Sequence, residues 1–195
     1  AGDQNGAVWK LDMSNKTVPA TPFFVAADAG NVRQPIMGGF EAAAGPGGGV
    51  MLYFGTGSFS FEGDKVDSQL QTLYGVLDRG VAVSGRAALQ SQTVNSSNTD
   101  NTLTVSTNVM AAGKLGWYLD LGVTTSNVTA AARERFVGYP RIKGGVVFFP
   151  AYAPIDATCS GDGINRLYGL NALTGGAALS NVRMGGPTGS SVGAV

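Results

Sequence analysis

The chain has 195 residues, of which 44% are hydrophobic and 13% charged, with thirteen basic residues against thirteen acidic ones. That balance belongs to a core-forming domain and excludes a disordered tail. The charges cancel and neither sign forms a run, so a phosphate-neutralising surface is excluded and nucleic acid is not an expected partner.

Thirty glycines and eight prolines break the chain too often for long helices and favour short strands joined by turns, so the expected class is all-β. The first strand is expected over Gly6–Asp12, where apolar and polar residues alternate around Trp9 before the turn-forming Met13-Ser14-Asn15-Lys16. Phe23–Ala27, Ile36–Ala44, Val50–Gly55 and Leu70–Leu77 follow, each bounded by glycine-rich or charged breaks such as Gly45-Pro46-Gly47-Gly48-Gly49. Ala88–Val94, Leu103–Thr107, Trp117–Leu121, Arg135–Ile142, Val146–Tyr152 and Arg166–Leu170 continue the series. Ala130–Glu134 alone has helix-like composition, and it is too short to stand as a helix.

Two internal echoes organise these strands. An aromatic strand that ends in Asp or Asn and a turn occurs at Val8-Trp9-Lys10-Leu11-Asp12, at Leu73–Gly80 and at Leu167–Gly175. A glycine break followed by a very apolar strand occurs at Gly48–Phe54 and at Gly144–Phe149, each time before an aromatic phrase. Such repeats announce a propeller, the apolar strand and the aromatic one being neighbours in a blade. The positions that mark them are Gly6, Trp9, Asp12, Tyr74, Asp78, Trp117, Tyr168 and Gly175. Trp9 and Tyr74 are 65 residues apart and Tyr74 and Tyr168 are 94, longer than a plain blade of about 40–50 residues, so insertions are expected near 95–102 and 122–133. Two to three blades cannot close a ring that needs four to eight. The whole of 1–195 is therefore expected to be a partial propeller, a fragment of a larger protein whose severed outer strands would have open edges.

The chain contains no histidine, which removes the commonest general base, the usual zinc ligand and every Ser-His or Cys-His pair. Glu62, Asp64 and Asp67 could offer oxygen ligands to a hard cation, but they lack the alternating spacing and central glycine of a calcium loop and read better as a solvated turn. Asp156 and Asp162-Gly163 read as turn formers, and Gly55-Thr56-Gly57-Ser58 lacks the lysine and the helix of a phosphate cradle. The lone Cys159 cannot pair within the chain; it either pairs with a cysteine elsewhere or is a buried or loop thiol. No apolar run reaches the roughly eighteen residues that span a bilayer.

Ala1–Asp12, Arg33-Gln34-Pro35-Ile36 and Tyr53-Phe54-Gly55-Thr56-Gly57, followed by Gln71–Asp78, Gly116–Leu121 and Leu170–Gly176, resemble in order the phrases of the PilY family of type IV pilus biogenesis proteins. The resemblance implies part of a quinoprotein-dehydrogenase-like β-propeller at the C-terminal end of a large secreted protein. It further implies a non-enzymatic adhesin and assembly factor at the pilus tip, outside a Gram-negative cell. Such a factor meets minor pilins and host or abiotic surfaces, and supports pilus extension, twitching motility and attachment. The acidic calcium loop that the family often carries would precede the phrase at Ala1 and is not in this chain, so the resemblance implies that any calcium would be held by the parent protein, and no cofactor is expected here. The enzymatic alternative is a quinone-dependent oxidoreductase, in which Trp9 and Trp117 would stack on the cofactor; the single cysteine departs from the adjacent pair those enzymes carry. A third reading is an outer-membrane assembly propeller, against which the pilus phrases speak.

Overall fold

The computed structural model describes residues 1–14, 21–96, 103–122, 133–154 and 163–179, and its regular structure is thirteen strands with three short 3-10 turns and no α-helix among the described residues. The strands are β1 (Ala7–Val8), β2 (Phe24–Val25), β3 (Glu41–Ala44), β4 (Val50–Gly55), β5 (Thr72–Asp78), β6 (Gln90–Gln92) and β7 (Val94–Ser96). They continue with β8 (Leu103–Val105), β9 (Gly116–Asp120), β10 (Arg135–Phe136), β11 (Arg141–Lys143), β12 (Val146–Pro154) and β13 (Gly163–Asn171). β3, β4, β5 and β9 form an antiparallel meander, with β6 added parallel to β9 at the edge. β12 pairs along its whole length with β13, and on its other side with β10 and then β11. β1–β2 and β7–β8 are short antiparallel pairs.

The middle sheet is buried on both faces. Met51, Tyr53, Leu73, Leu77, Trp117 and Leu119 point to one side, where they meet Phe136, Val147, Phe149, Tyr168 and Leu170 of the following sheet. Phe54, Tyr74 and Val76 point to the other and meet Val8, Phe23, Phe24 and Ile36. This is why β4 and β5 read as near-continuous apolar runs: between the terminal Val50 and Asp78, alternation carries the side chains from one core to the other. Removing one such large side chain from water is worth about 2–3 kcal/mol. Successive sheets stacked face to face are the arrangement of a β-propeller, and the sheets described here do not close into a ring.

Several expected strands are shorter, for identifiable reasons. Only Ala7–Val8 of the expected Gly6–Asp12 stretch forms a strand, and just before it the Asp3 carboxylate takes the Asn5 and Ala7 amides at 2.9 and 2.8 Å and bends the chain into a turn. Ile36–Ala44 is a strand only from Glu41, since Gly38 and Gly39 run under Phe136 and Tyr139, where a Cβ would come within 2.5 and 2.0 Å of their rings. Arg135–Ile142 is split into β10 and β11 around Gly138-Tyr139-Pro140, where Pro140 has no N–H to give and the Gly138 carbonyl turns to the Gly39 amide, 2.9 Å away. Ala88–Val94 becomes a 3-10 turn at Arg86–Ala88 followed by β6 and the start of β7. Residues 130–132 of the helix-like window, Cys159 and most of both expected insertions lie outside the described residues.

Candidate functional site

Strand register sorts the connections to two ends. Gly55 pairs with Leu73, Thr72 with Asp120, Arg135 with Tyr152 and Pro154 with Gly163, so the strand ends on either side of 56–71, 121–134 and 155–162 all lie at one end. The opposite end carries the tight turns after β3 and β11, the turn after β13, the connection 79–89 that leaves β5 and the connection 106–115 that enters β9. Recognition residues concentrate on long loops set on a rigid scaffold, and the connection 56–71, described throughout, makes the first end the candidate site.

Arg135 organises it. Its residue is 2% exposed, and its guanidinium donates to the carbonyls of Ser58 at 2.8 Å, Asp67 at 3.0 Å and Arg133 at 3.0 Å, and to that of Asp64. One planar fork thus ties the Ser58–Asp67 loop to the first strand of the next sheet. Burial pulls the guanidinium pKa down, while Asp67 and Asp64 oppose that pull.

Asp64 finishes the loop from within. One of its carboxylate oxygens accepts from Ser58 Oγ at 2.6 Å and from the Ser60 and Phe61 amides at 2.7 and 2.8 Å. Burial would raise its pKa, but these bonds and the Arg135 charge outweigh it and hold the carboxyl below its ordinary 3.8. Asp67 accepts from the Gln69 amide at 2.9 Å and Glu62 is exposed. Among the described residues Glu62, Asp64 and Asp67 do not make a metal-holding group. The loop presents Phe59, Phe61 and Val66 at 46%, 60% and 49% exposure, and Phe59 packs edge-on against Tyr152 at 5.1 Å.

Polar clusters sit between the sheets near the same end. Between the first and middle sheets, Asp120 pairs with Arg86 at 2.6 Å and accepts from Thr72 at 2.8 Å, and Arg86 lies over the Tyr118 ring. Tyr74 is in the same group: its hydroxyl is 2.9 Å from Gln34 Oε1, and burial pushes its pKa up to about 12. Between the middle and last sheets the buried Glu134 carboxylate pairs with Arg166 and accepts from the Tyr168 hydroxyl at 2.9 Å. Burial raises the Tyr168 pKa well above 10, so the hydroxyl stays a donor.

The remaining expected positions are spread over the scaffold. Gly6 has φ +74° and approaches the Ala26 carbonyl; Trp9 donates to Asp3 at 2.9 Å; Asp12 accepts from Ser14; Asp78 pairs with Lys10 at 2.6 Å. Trp117 is fully buried, packs on Gly75 and Gly175, and donates from Nε1 to the Ala172 carbonyl at 3.0 Å. The Tyr53 hydroxyl donates to that same carbonyl at 3.1 Å. Asp3, Glu134 and Arg135 were not among the expected residues. Asp3 could have been found from its spacing to Gly6, an acid three residues before a turn glycine. Glu134 and Arg135 are matched to partners dozens of residues away, and no local pattern marks them.

Every carboxylate of this end described above is engaged by hydrogen bonds or an ion pair, except the exposed Glu62. The arrangement therefore holds a shape and presents a surface. No protein-family model matches the chain. It is 36% identical, over 93% of its length, to a type IV pilus biogenesis factor PilY1 homolog of Xylella fastidiosa, and spans 13% of that protein. It is 27% identical, over 90% of its length, to the type IV pilus biogenesis factor PilY1 of Pseudomonas aeruginosa, and spans 19% of it. The crystal structure of the Pseudomonas aeruginosa PilY1 C-terminal domain superposes with a TM-score of 0.68 at 24% identity, covering 90% of this chain and 44% of that domain. By sequence and by sheet architecture, the chain belongs to the PilY1 family of type IV pilus biogenesis factors and corresponds to part of their C-terminal β-propeller.

Proposed function

We propose that the chain is a non-enzymatic binding and assembly module, whose loop end contacts pilus components and surfaces from the outside of the cell. The observation that carries this reading is the Ser58–Asp67 loop, fixed by Arg135 and Asp64 and presenting Phe59 and Phe61 to solvent. Aromatic anchors on a loop already in its bound shape lose little entropy on association, which is what a protein contact site requires. In this reading the partners are minor pilins at the pilus tip, and the module supports extension, twitching motility and attachment. The aromatic positions Trp117 and Tyr168 serve to lock sheet to sheet. The oxidoreductase alternative gains no support from Trp117, whose ring is enclosed between Gly75 and Gly175 and has no face left for a cofactor.

The test is Phe59→Ser/Phe61→Ser in the full-length protein, scored by twitching zone, surface piliation and co-purification of minor pilins. Reduced motility and pilin recovery with unchanged thermal stability is the expected result. Wild-type motility and pilin recovery would overturn the proposal.

A further inference from the structure

At the end opposite the loops, a groove of about 430 Å³ runs between the middle sheet and the turn that follows β13. Its floor is made by Met51 and Leu77, which also face the core between the sheets, and its walls include Met110 and the half-exposed Leu173. Arg79 and Lys114 stand at its lip, and no carboxylate lines it.

Some cations of the described residues are ion-paired to carboxylates, and these two are not. Lys10, Arg86, Arg141 and Arg166 each have a carboxylate partner. Arg79 lies over Gly47 and makes one long bond, 3.5 Å, to the Pro46 carbonyl; Lys114 makes one of 2.8 Å to the Ala87 carbonyl. Neither is ion-paired to a carboxylate among the described residues. Most of their donors are uncommitted, and they flank an apolar trough.

We propose that this groove binds a peptide segment in which a carboxylate side chain is flanked by apolar ones. The carboxylate would meet the Arg79 fork and the Lys114 ammonium, and an apolar neighbour would cover Met51, Leu77 and Leu173. The charges select an acidic partner and reject a basic one. The volume matches two or three side chains, and the groove opens to solvent. Met51 and Met110 supply adaptable walls that accept more than one apolar side chain. The turn that supplies Leu173 also supplies the Ala172 carbonyl, held by Trp117 and Tyr53, so an occupied groove ties the two sheets together and raises their stability.

The experiment uses the full-length protein and the fluorescein-labelled peptide Gly-Leu-Asp-Leu-Gly, followed by fluorescence anisotropy. Controls are the same peptide with Lys for Asp, and with Gly for both Leu. Saturable binding of the acidic peptide is expected, with at least about tenfold loss for either control and for Arg79→Glu/Lys114→Glu. Raising salt from about 0.05 to 0.5 M should also weaken it, and a bound peptide should raise the melting temperature. Arg79→Gln/Lys114→Gln serves if the reversed variant melts early, with the same direction expected. No saturable binding, equal binding of the Lys peptide, or indifference to both double variants would overturn the proposal. So would phosphatidylglycerol vesicles bound through Arg79 and Lys114 while the peptide is not. The groove is remote from Phe59 and Phe61, so this result and the loop test fail independently.

Discussion

The Trp117 indole rests so closely on Gly175 of the neighbouring sheet that a Cβ at Gly175 would lie 2.3 Å from the ring. Gly175 also has φ +72°, which side-chain-bearing residues adopt at a cost. Gly175→Ala therefore combines backbone strain with a clash, and a loss of about 2–4 kcal/mol is expected in denaturant unfolding of the full-length protein. Trp117→Phe, which keeps an aromatic ring but leaves the Ala172 carbonyl with only Tyr53, should cost about 2 kcal/mol.

Glu134 and Arg166 form an ion pair with almost no exposed surface, the side chains being 0% and 4% exposed. Removing one partner strands a buried charge. Glu134→Leu alone should lower stability by about 3–5 kcal/mol, whereas Glu134→Leu/Arg166→Met/Tyr168→Phe should recover most of it. Equal instability of the single and triple variants, measured by the same unfolding curves, would show that the loss comes from packing and not from charge.

Arg135→Lys keeps the charge and loses the fork. A single ammonium cannot reach the Ser58, Asp64 and Asp67 carbonyls together, so the loop should open more often. Chymotrypsin cleavage after Phe59 and Phe61 should become about tenfold faster or more, read by peptide mapping of partial digests.

Asp64 makes loop order depend on pH. Its folded pKa is below the ordinary 3.8, so its stabilising effect is complete above 3.8 and is lost as pH falls through the lower folded value. Asp3, held down by Trp9 and two backbone amides, behaves in the same direction. Amide exchange at Ser60 and Phe61 should therefore accelerate, relative to its intrinsic rate, as pH falls below about 3.8, and in Asp64→Asn it should be fast at neutral pH as well.

The elements most legible in the sequence are those buried on both faces. Val50–Gly55 was expected as a strand and is β4 with the same bounds, since a continuous apolar run bounded by glycines has few other solutions. Val146–Pro154 is two residues longer than expected, and Thr72–Asp78 is displaced by one or two at its ends. Legibility failed where a strand is ended by something distant in sequence. Gly38 and Gly39 yield to Phe136 and Tyr139, a meeting of segments about a hundred residues apart that no window contains. The candidate site was half legible. The acids Glu62, Asp64 and Asp67 stood out, weighed as ligands and read as a solvated turn; Asp64 caps that loop from within, and the residue that fixes it is Arg135, read only as the start of a strand.

A sheet with a core on each side has no silent positions. In an ordinary two-layer protein half of each strand faces water and can drift; in β4 and β5 nearly every substitution is felt by one core or the other. Variation that survives is therefore channelled to the two rims. Lineages can exchange what the rims touch, loop aromatics at one and groove cations at the other, while the sheets between them stay the same.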